Sequence, residues 1–270
     1  MLYRWKVRLL KVPRLNLLWR YWRAWKGDIV GTYDRLPEYI CRHAPGRSFA
    51  DIGCMWGVNG EYAFIAEDAG ATRVTAVDVF GPTPEFEEKH RARGSRVEFV
   101  LGDITRMDTL ERVGEADVVF CSGVLYHHPS PFDLLVALRR ICRETLILRT
   151  STIPEVRGLR NVAVYFPMLD ARDRRLWNLS ALGLAHQTGI SNEFQPSEGY
   201  GNWFWGLTPS CLEALLKTAG FRVDFRATEA FAHTCVCAAV ASPLQHERPD
   251  AFSARRLAAE ISAAGTARPA

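Results

Sequence analysis

Residues 49–61 read Phe-Ala-Asp-Ile-Gly-Cys-Met-Trp-Gly-Val-Asn-Gly-Glu. A short apolar run ends here in a glycine-rich turn, and the turn leads into a helix-like segment. This order of strand, glycine turn and helix is typical of nucleotide or nucleoside pockets at the carboxyl edge of a parallel sheet. The glycines permit backbone angles that a side chain forbids, and they let the main chain approach a ligand closely. Because the turn lacks Gly-Lys-Ser/Thr, the pattern excludes a P-loop.

Three more strand-like runs follow this turn, at residues 74–78, 97–100 and 116–122. The residues at or just after their ends are Asp78 and Val79 for the first run, Asp103 and Ile104 for the second, and Ser122 and Gly123 for the third. The carboxyl ends of parallel strands meet at one edge of a sheet, and an acid at the end of the second strand can accept both ribose hydroxyls. The spacing therefore predicts one pocket lined by four strand ends.

This series of motifs resembles the class I S-adenosylmethionine (SAM)-dependent methyltransferases. The stretch from Asp51 to Gly57 resembles that family's first motif, Asp78 its ribose-binding acid, and Asp103 the residue beside the adenine. The resemblance covers residues 45–242. It implies an α/β fold with a Rossmann-like, doubly wound, mostly parallel sheet and a final antiparallel strand. It also implies SAM as the cofactor.

The resemblance implies a set of cofactor-binding residues along the four strand ends. These are Asp51, Gly53, Cys54, Gly57, Asp78, Val79, Asp103, Ile104, Ser122 and Gly123. One position departs from the family pattern, because Met55 stands where the middle glycine of the first motif is usual. We expect its bulk to reshape the pocket around the amino-acid tail of the cofactor.

The segment after the fourth strand, residues 123–131, is expected to face the methyl group of SAM. It contains the predicted catalytic residues Tyr126, His127 and His128, because a neutral imidazole is a suitable base near neutral pH. In the alternative interpretation, Tyr126 and His127 close the cofactor pocket and His128 only bonds the backbone. Further candidates for a base or a metal ligand are Asp173, His186 and Glu193. No metal site is predicted, since charged side chains in such a segment are usually solvated.

Residues 123–131 are also similar to the corresponding loop of a narrower group, the carboxymethyltransferases that modify wobble uridine in tRNA. Residues 202–204 and 208–221 resemble that group's closing segment. The group uses carboxy-SAM, and its larger N-terminal portion helps to hold the extra carboxylate. The same loop occurs in relatives that use ordinary SAM on small acceptors. We therefore take the fold and the pocket from this resemblance, and leave carboxy-SAM and tRNA as an alternative.

Residues 1–44 are predicted to form an N-terminal helical arm that is basic and aromatic at its start. Residues 1–26 hold eight Lys or Arg residues, no acidic residue and four of the chain's eight tryptophans. Apolar residues between Leu15 and Trp25 fall on one face of a predicted helix. Three interpretations stay open, namely a helix that packs on the core or caps its pocket, a helix at a membrane surface, and a nucleic-acid clamp. With 34 basic and 30 acidic residues in total, the chain beyond residue 26 is net acidic, unlike a dedicated nucleic-acid binder.

Residues 153–206 interrupt the alternation of strands and helices and contain many aromatic side chains. We expect this insertion to be the acceptor lid of the methyltransferase domain, because functional variation in α/β folds is carried by such connections. After the insertion, Thr208 and Pro209 predict a helix start and Gly220 predicts its end.

The cysteine pattern and the lengths of the apolar runs indicate the cellular compartment of the protein. Seven cysteines are scattered without a C-x-x-C pair, which predicts buried thiols in a reducing cytosol. No apolar run approaches the length of about 18 residues that a membrane span needs, and basic residues interrupt any signal-peptide pattern. We therefore predict a cytoplasmic protein, peripheral at the membrane surface if the arm is interfacial. Residues 243–270 form a polar, Ala-rich tail.

Three functions are compatible with these patterns. The first is O-methylation of a small polar acceptor, such as a sugar, a glycosylated metabolite or a glycolipid precursor, because the aromatic side chains of the insertion suit sugar rings. The second is methylation or carboxymethylation of tRNA, which requires salt-dependent RNA binding by the arm. The third is a binding module that keeps the fold without catalysis, and Met55 is the argument for it. The sequence does not indicate an oligomeric state.

Overall fold

The computed structural model describes residues 35–153, 155–174, 193–229 and 232–241. The predicted helix of the arm, His186 and the tail lie outside the described residues, so what was predicted for them stays a prediction.

Nine strands, six helices and two 3₁₀ turns lie wholly within the described residues. The strands are β1 (Ser48–Ile52), β2 (Arg73–Asp78), β3 (Glu98–Leu101), β4 (Ala116–Ser122), β5 (Cys142–Ser151), β6 (Ala163–Tyr165), β7 (Trp205–Leu207), β8 (Phe221–Glu229) and β9 (Ala232–Ala239). The helices are α1 (Leu36–His43), α2 (Glu61–Asp68), α3 (Pro84–Arg93), α4 (Met107–Val113), α5 (Pro131–Ile141) and α6 (Pro209–Ala219). The 3₁₀ turns are Leu125–His127 and Pro196–Gly201.

Seven strands form the main sheet in the order β3-β2-β1-β4-β5-β9-β8. The first five are parallel, whereas β9 runs antiparallel to both of its neighbours. This arrangement confirms the doubly wound, mostly parallel sheet with a final antiparallel strand. The chain winds from β1 toward β3 on one side and resumes with β4 on the other side of β1. A crevice therefore opens between the carboxyl ends of β1 and β4, the usual ligand position in such sheets.

Helices cover both faces of the sheet, because successive strand residues point to opposite sides. In β1, Phe49 lies in the apolar cluster shared with α1, α2 and α3, and Ala50 lies in the cluster shared with α4, α5 and α6. Leu36 of α1 and Leu134 of α5 are fully buried, and each such side chain contributes roughly 1.5–3 kcal/mol to folding. The loops at the carboxyl edge therefore start from strand ends that are packed on both sides.

The described parts of the insertion lie between β5 and α6 and include a small second sheet of β6 and β7. Thr208 joins this part to the core, since its backbone N–H donates to the carbonyl of the residue before β6. Its Oγ1 also caps α6 by accepting from the backbone N–H of Cys211. Gly220, with a φ of 97°, ends the helix. Both ends of α6 are therefore where the sequence predicts them.

Six of the seven cysteines are buried, but Cys41 on α1 is exposed. The prediction of buried thiols is therefore wrong for Cys41, because the buried residues of α1 are Leu36, Tyr39 and Ile40, on its other side. Within the described ranges, no group of three or more His, Cys, Asp or Glu side chains could hold a metal ion. Every helix in the described part of the chain is too short or too polar to cross a membrane.

Candidate cofactor and acceptor site

The glycine turn after β1 presses against the loop after β4. Gly53 has a φ of 82°, and its backbone N–H donates to the carbonyl of Val77 at 2.8 Å. A Cβ at Gly53 would lie 2.1 Å from a methyl carbon of Val124, so this position requires glycine. Gly57 also has a positive φ of 72°, and nothing lies within 4 Å of the place that its Cβ would take. A ligand can therefore approach the main chain at Gly57.

Asp78 ties this turn to the end of β2. Its Oδ2 accepts from the backbone N–H of Met55 at 2.7 Å, and its Oδ1 accepts from that of Phe80 at 2.9 Å. Burial raises the pKa of the carboxyl, and the bonds from Phe80 and Met55 oppose the rise. Each carboxylate oxygen has a second lone pair. Asp78 can therefore still accept from ribose hydroxyls.

The side chain of Met55 packs in the core. It is 1% exposed and belongs to the apolar cluster shared with α1, α2 and α3. Its bulk therefore lies in the core, and the packing does not show the reshaping of the pocket that we expected from this residue.

Asp51, at the carboxyl end of β1, is a buried acid. It is 1% exposed, and neither carboxyl oxygen has a hydrogen-bond partner among the described residues. Burial and the nearby carboxylate of Asp78 raise the pKa of Asp51 to about 8, while the backbone N–H of Ala63 acts in the opposite direction. A ligand with a positively charged N–H group would supply the partner that this acid lacks. The amino group of the methionine part of SAM is such a group, so Asp51 fits the predicted cofactor.

Asp103, after β3, receives donors from two segments. Its Oδ1 accepts from the backbone N–H and the hydroxyl of Thr105, at 2.9 and 2.7 Å, and its Oδ2 accepts from the hydroxyl of Tyr200 at 2.5 Å. Partial burial raises the pKa of Asp103, but the bonds from Tyr200 and Thr105 outweigh it, so the pKa lies below its usual value. Asp103 is therefore ionised at neutral pH and can accept from the amino group of an adenine.

His127 is held in one tautomer. Its Nδ1 lies 2.8 Å from the backbone carbonyl oxygen of Asn202. Since a carbonyl can only accept, Nδ1 carries the proton and Nε2 keeps its lone pair. Burial lowers the pKa of this imidazole, and the carbonyl of Asn202 opposes the shift. His127 is therefore neutral at pH 7, with an Nε2 that can accept a proton as a general base must.

His128 is bound to the backbone and lies on the Asp103 side of the site. Its Nδ1 is 2.7 Å from the carbonyl oxygen of Ser130 and 3.1 Å from the backbone nitrogen of Ser130, so this residue can hold the ring in either tautomer. Its Nε2 lies 4.0 Å from Oδ1 of Asp103. This geometry matches the alternative in which His128 bonds the backbone. The two histidines therefore differ, since His127 is held by Asn202 and His128 by its near neighbour Ser130.

Aromatic rings surround His127. Trp56 stacks on it with an interplanar angle of 10°, and the ring centroids of Tyr126 and Trp203 lie 4.2 and 5.8 Å from that of His127. Trp56 also meets Phe80 edge to face at 5.7 Å. Trp56 is 63% exposed and Phe80 is 46% exposed. Flat apolar surface therefore lies beside the imidazole, and such surface stacks on the rings of an acceptor.

The insertion closes one side of this site. The backbone N–H of Phe204 donates to the carbonyl of Tyr126 at 2.9 Å. The indole N–H of Trp205 donates to the carbonyl of Pro129 at 2.8 Å. These two bonds attach the end of the insertion to the loop that carries His127. The role of the insertion in acceptor binding stays a prediction.

The ten predicted cofactor-binding residues lie at or just after the carboxyl ends of β1, β2, β3 and β4. The side chains of Cys54 and Ile104 are buried among apolar residues, so these two residues can offer a ligand hydrogen bonds only through their backbone atoms. Among the alternative bases, Asp173 and Glu193 are exposed, and none of their described contacts reaches residues 123–131.

Sequence reasoning did not assign roles to Trp56, Phe80, Tyr200 and Arg149. Trp56 lies inside the first motif and Phe80 is two residues after the ribose-binding acid, so their positions could have indicated them. Arg149 is buried and in register with Ser122 on the adjacent strand. Only tertiary structure brings Tyr200 to Asp103.

Comparisons with known proteins agree with this arrangement. Residues 49–145 match a family model described as a methyltransferase domain. A tRNA U34 carboxymethyltransferase of Shewanella piezotolerans is 29% identical over 241 residues, which cover 77% of this chain and 64% of that protein. The protein of the same name from Shewanella frigidimarina is 33% identical over 144 residues, which cover 49% of this chain and 38% of that protein. The chain therefore spans less than two thirds of the length of these curated relatives.

Solved structures show the same fold at low identity. A Burkholderia thailandensis 1,6-didemethyltoxoflavin-N1-methyltransferase with bound S-adenosylhomocysteine is 17% identical, with a TM-score of 0.51 and 76% coverage of both chains. A magnesium protoporphyrin IX methyltransferase from Synechocystis is also 17% identical, with a TM-score of 0.50, 77% coverage of this chain and 82% of that chain.

We predict that Asp78→Ala weakens binding of S-adenosylhomocysteine. Hydrogen bonds to a charged group contribute about 1.5–3 kcal/mol, so the dissociation constant should rise about 10- to 100-fold. Calorimetric titration measures this constant. The control is Asp68→Ala, which removes an exposed carboxylate paired with Arg93 at the far end of α2. An unchanged affinity in a folded Asp78→Ala sample would show that this acid does not hold the ribose.

A second prediction concerns pH. The folded-state pKa of Asp51, about 8, lies above its ordinary value of 3.8. The folded chain therefore binds more protons than the unfolded chain between these values, and Asp51 makes stability fall as pH rises through this window. We expect wild-type protein to lose stability relative to Asp51→Asn as the pH rises, measured by urea unfolding across the window. A difference that stays constant with pH would contradict the raised pKa.

Proposed function

We propose that this chain is a class I SAM-dependent methyltransferase and that it transfers an alkyl group from a SAM-type cofactor to a base of tRNA, because residues 49–145 match a methyltransferase domain and a relative 29% identical to the chain is a tRNA U34 carboxymethyltransferase. The cofactor supplies, when bound, a methyl or carboxymethyl carbon on a positively charged sulfur. The observation that carries the proposal is the position of His127, a neutral imidazole held by Asn202 beside the exposed ring of Trp56.

Three acids share the binding of the cofactor in this proposal. Asp78 accepts from the ribose hydroxyls, Asp103 accepts from the adenine amino group, and Asp51 accepts from the amino group of the methionine part. Their different environments support this division, since Asp103 has a lowered pKa while Asp51 is buried without a hydrogen-bond partner among the described residues. The open space beside Gly57 lets the main chain contact the same ligand.

His127 is assigned the proton transfer. As the acceptor atom bonds to the alkyl carbon, its proton moves to Nε2 of His127. The Nδ1–H bond to the carbonyl of Asn202 orients the ring and stabilises the imidazolium that forms. The aromatic rings of Trp56, Tyr126 and Trp203 exclude water from one side of the imidazole.

The names of the relatives favour tRNA over the small polar acceptor that the sequence led us to expect, and the exposed rings beside His127 are compatible with it. The curated relatives are named tRNA U34 carboxymethyltransferases, and one is similar over 77% of this chain. Trp56 and Phe80 also present exposed rings on which an unstacked base can lie. The basic residues of 1–26 would contact phosphates. This acceptor would place the protein in the cytoplasm, as predicted.

A small polar acceptor stays the second candidate. The exposed rings of Trp56 and Phe80 suit a sugar ring as well as a base, because both present a flat face. The packing of Met55 in the core removes the argument that its bulk disables the pocket. A non-catalytic binding module is therefore retained only as an outcome of the experiment.

In the test, the protein is incubated with isotope-labelled SAM or, in parallel, with isotope-labelled carboxy-SAM. Each cofactor is combined with unmodified tRNA or with a sugar and glycolipid fraction. We expect label in tRNA, with binding that weakens steeply as salt rises and a smaller salt effect after deletion of residues 1–26. Label only in the sugar or glycolipid fraction would overturn the tRNA proposal. Failure to bind either cofactor would indicate a non-catalytic module. Loss of liposome binding in the deletion variant would support a membrane role for the arm.

We predict that His127→Ala lowers the rate of transfer about 10²- to 10⁴-fold, the usual contribution of a general base, with a much smaller effect on cofactor affinity. His128→Ala is the comparison, and we expect it to change cofactor affinity more than turnover, because His128 lies beside Asp103. Single-turnover kinetics and calorimetry separate the two quantities. Equal losses of rate and affinity in His127→Ala would show that this residue only closes the pocket.

A further inference from the structure

Tyr200 completes the hydrogen bonding of Asp103. Both donors of Thr105 bond to Oδ1, and the hydroxyl of Tyr200 bonds to Oδ2. A carboxylate that is held at one oxygen can still turn about its Cβ–Cγ bond, whereas one held at both oxygens has its plane fixed. The orientation of Asp103 therefore depends on a residue 97 positions away in the chain.

Tyr200 is itself on a constrained element. It lies in the 3₁₀ turn Pro196–Gly201, and the buried side chain of Asn202 bonds to the backbone of Gln195, just before that turn, and of Gly199, within it. The backbone carbonyl of Asn202 also accepts from His127. The turn is thereby closed on itself and attached to the loop after β4.

The ring of Tyr200 has a second contact, with His128. The two ring centroids are 5.6 Å apart, and Nε2 of His128 lies 4.0 Å from Oδ1 of Asp103. Burial and the bond to Asp103 both raise the pKa of Tyr200. The proton therefore stays on the tyrosine and the negative charge stays on Asp103, which is the form that accepts from an amino group.

We propose that Tyr200 is a positioning residue for recognition of the adenine. By fixing Oδ2 of Asp103, it turns the carboxylate toward the 6-amino group, and it thereby makes the site select an aminopurine over a purine with a 6-oxo group. The inference rests on the proposed function, because it takes a SAM-type cofactor as the ligand. It assigns to the insertion a part in cofactor selection in addition to its predicted part in acceptor binding.

The experiment compares two ligands that differ at one position of the purine. S-adenosylhomocysteine carries the 6-amino group, and S-inosylhomocysteine carries an oxygen there. Calorimetric titration gives both dissociation constants for wild-type protein, Tyr200→Phe and Tyr165→Phe. Tyr200→Phe keeps the ring beside His128 and removes only the hydroxyl. Tyr165→Phe is the matched control, since Tyr165 belongs to the same insertion, is half exposed and packs its ring against Trp205 instead of against the residues around Asp103.

We expect Tyr200→Phe to weaken the binding of S-adenosylhomocysteine about tenfold, the effect of one hydrogen bond to a charged group. The affinity for S-inosylhomocysteine should stay within about twofold of the wild-type value. Tyr165→Phe should match wild-type protein for both ligands. In an Asp103→Asn background, Tyr200→Phe should change the preference no further, because the two residues act as one unit. This double variant tests the coupling independently of the single substitution.

An unchanged preference in Tyr200→Phe overturns the inference. Equal weakening of both ligands also overturns it, because the hydroxyl would then only hold the segment in place. Tighter binding would show that the hydroxyl blocks the pocket, and overturns it as well. If wild-type protein binds neither ligand, the proposed function fails together with the inference, whereas wild-type binding with an unchanged preference overturns the inference alone.

Discussion

The site depends on the absence of a side chain at Gly53. A Cβ there would collide with Val124 at 2.1 Å, so only glycine lets the turn after β1 lie against the loop after β4. This contact sets the distance between the two halves of the site. It allows Trp56, on the turn, to stack on His127, on the loop. A larger residue at Gly53 would separate the cofactor-binding turn from the candidate base.

The second constraint comes from the insertion. Phe204 and Trp205 bond to carbonyls of the loop after β4, and Asn202 fixes the tautomer of His127. Tyr200 reaches the far side of the cleft at Asp103. One segment therefore determines the state of the candidate base and the orientation of the adenine-side acid. Variation in this segment can change the acceptor and the cofactor preference together, while the sheet beneath stays the same.

The methyltransferase fold and the choice of acceptor rest on different kinds of observation. The fold follows from the strand order and the glycine turn, and residues 49–145 match a methyltransferase domain. The acceptor depends on surfaces that vary within the fold, and the proposal of a base in place of the sugar expected from the sequence rests on the relatives, because the exposed rings of Trp56 and Phe80 suit both. A fold alone does not decide this choice, because one scaffold supports many acceptors.

The sequence by itself determined the fold class, the order of strands and helices in the core and the positions of the acids at the strand ends, because each of these follows from a local sequence pattern. A glycine turn, an alternating strand and a capped helix such as α6 need only neighbouring residues to be recognised. It did not determine which histidine is the candidate base, since Nδ1 of His127 is fixed by Asn202 and Nδ1 of His128 is held by Ser130. It also gave no sign that Met55 packs in the core or that Tyr200 bonds to Asp103. The bonds of Asn202 to His127 and of Tyr200 to Asp103 belong to the tertiary structure, because contacts between segments 75 or more residues apart leave no periodic trace in a single sequence.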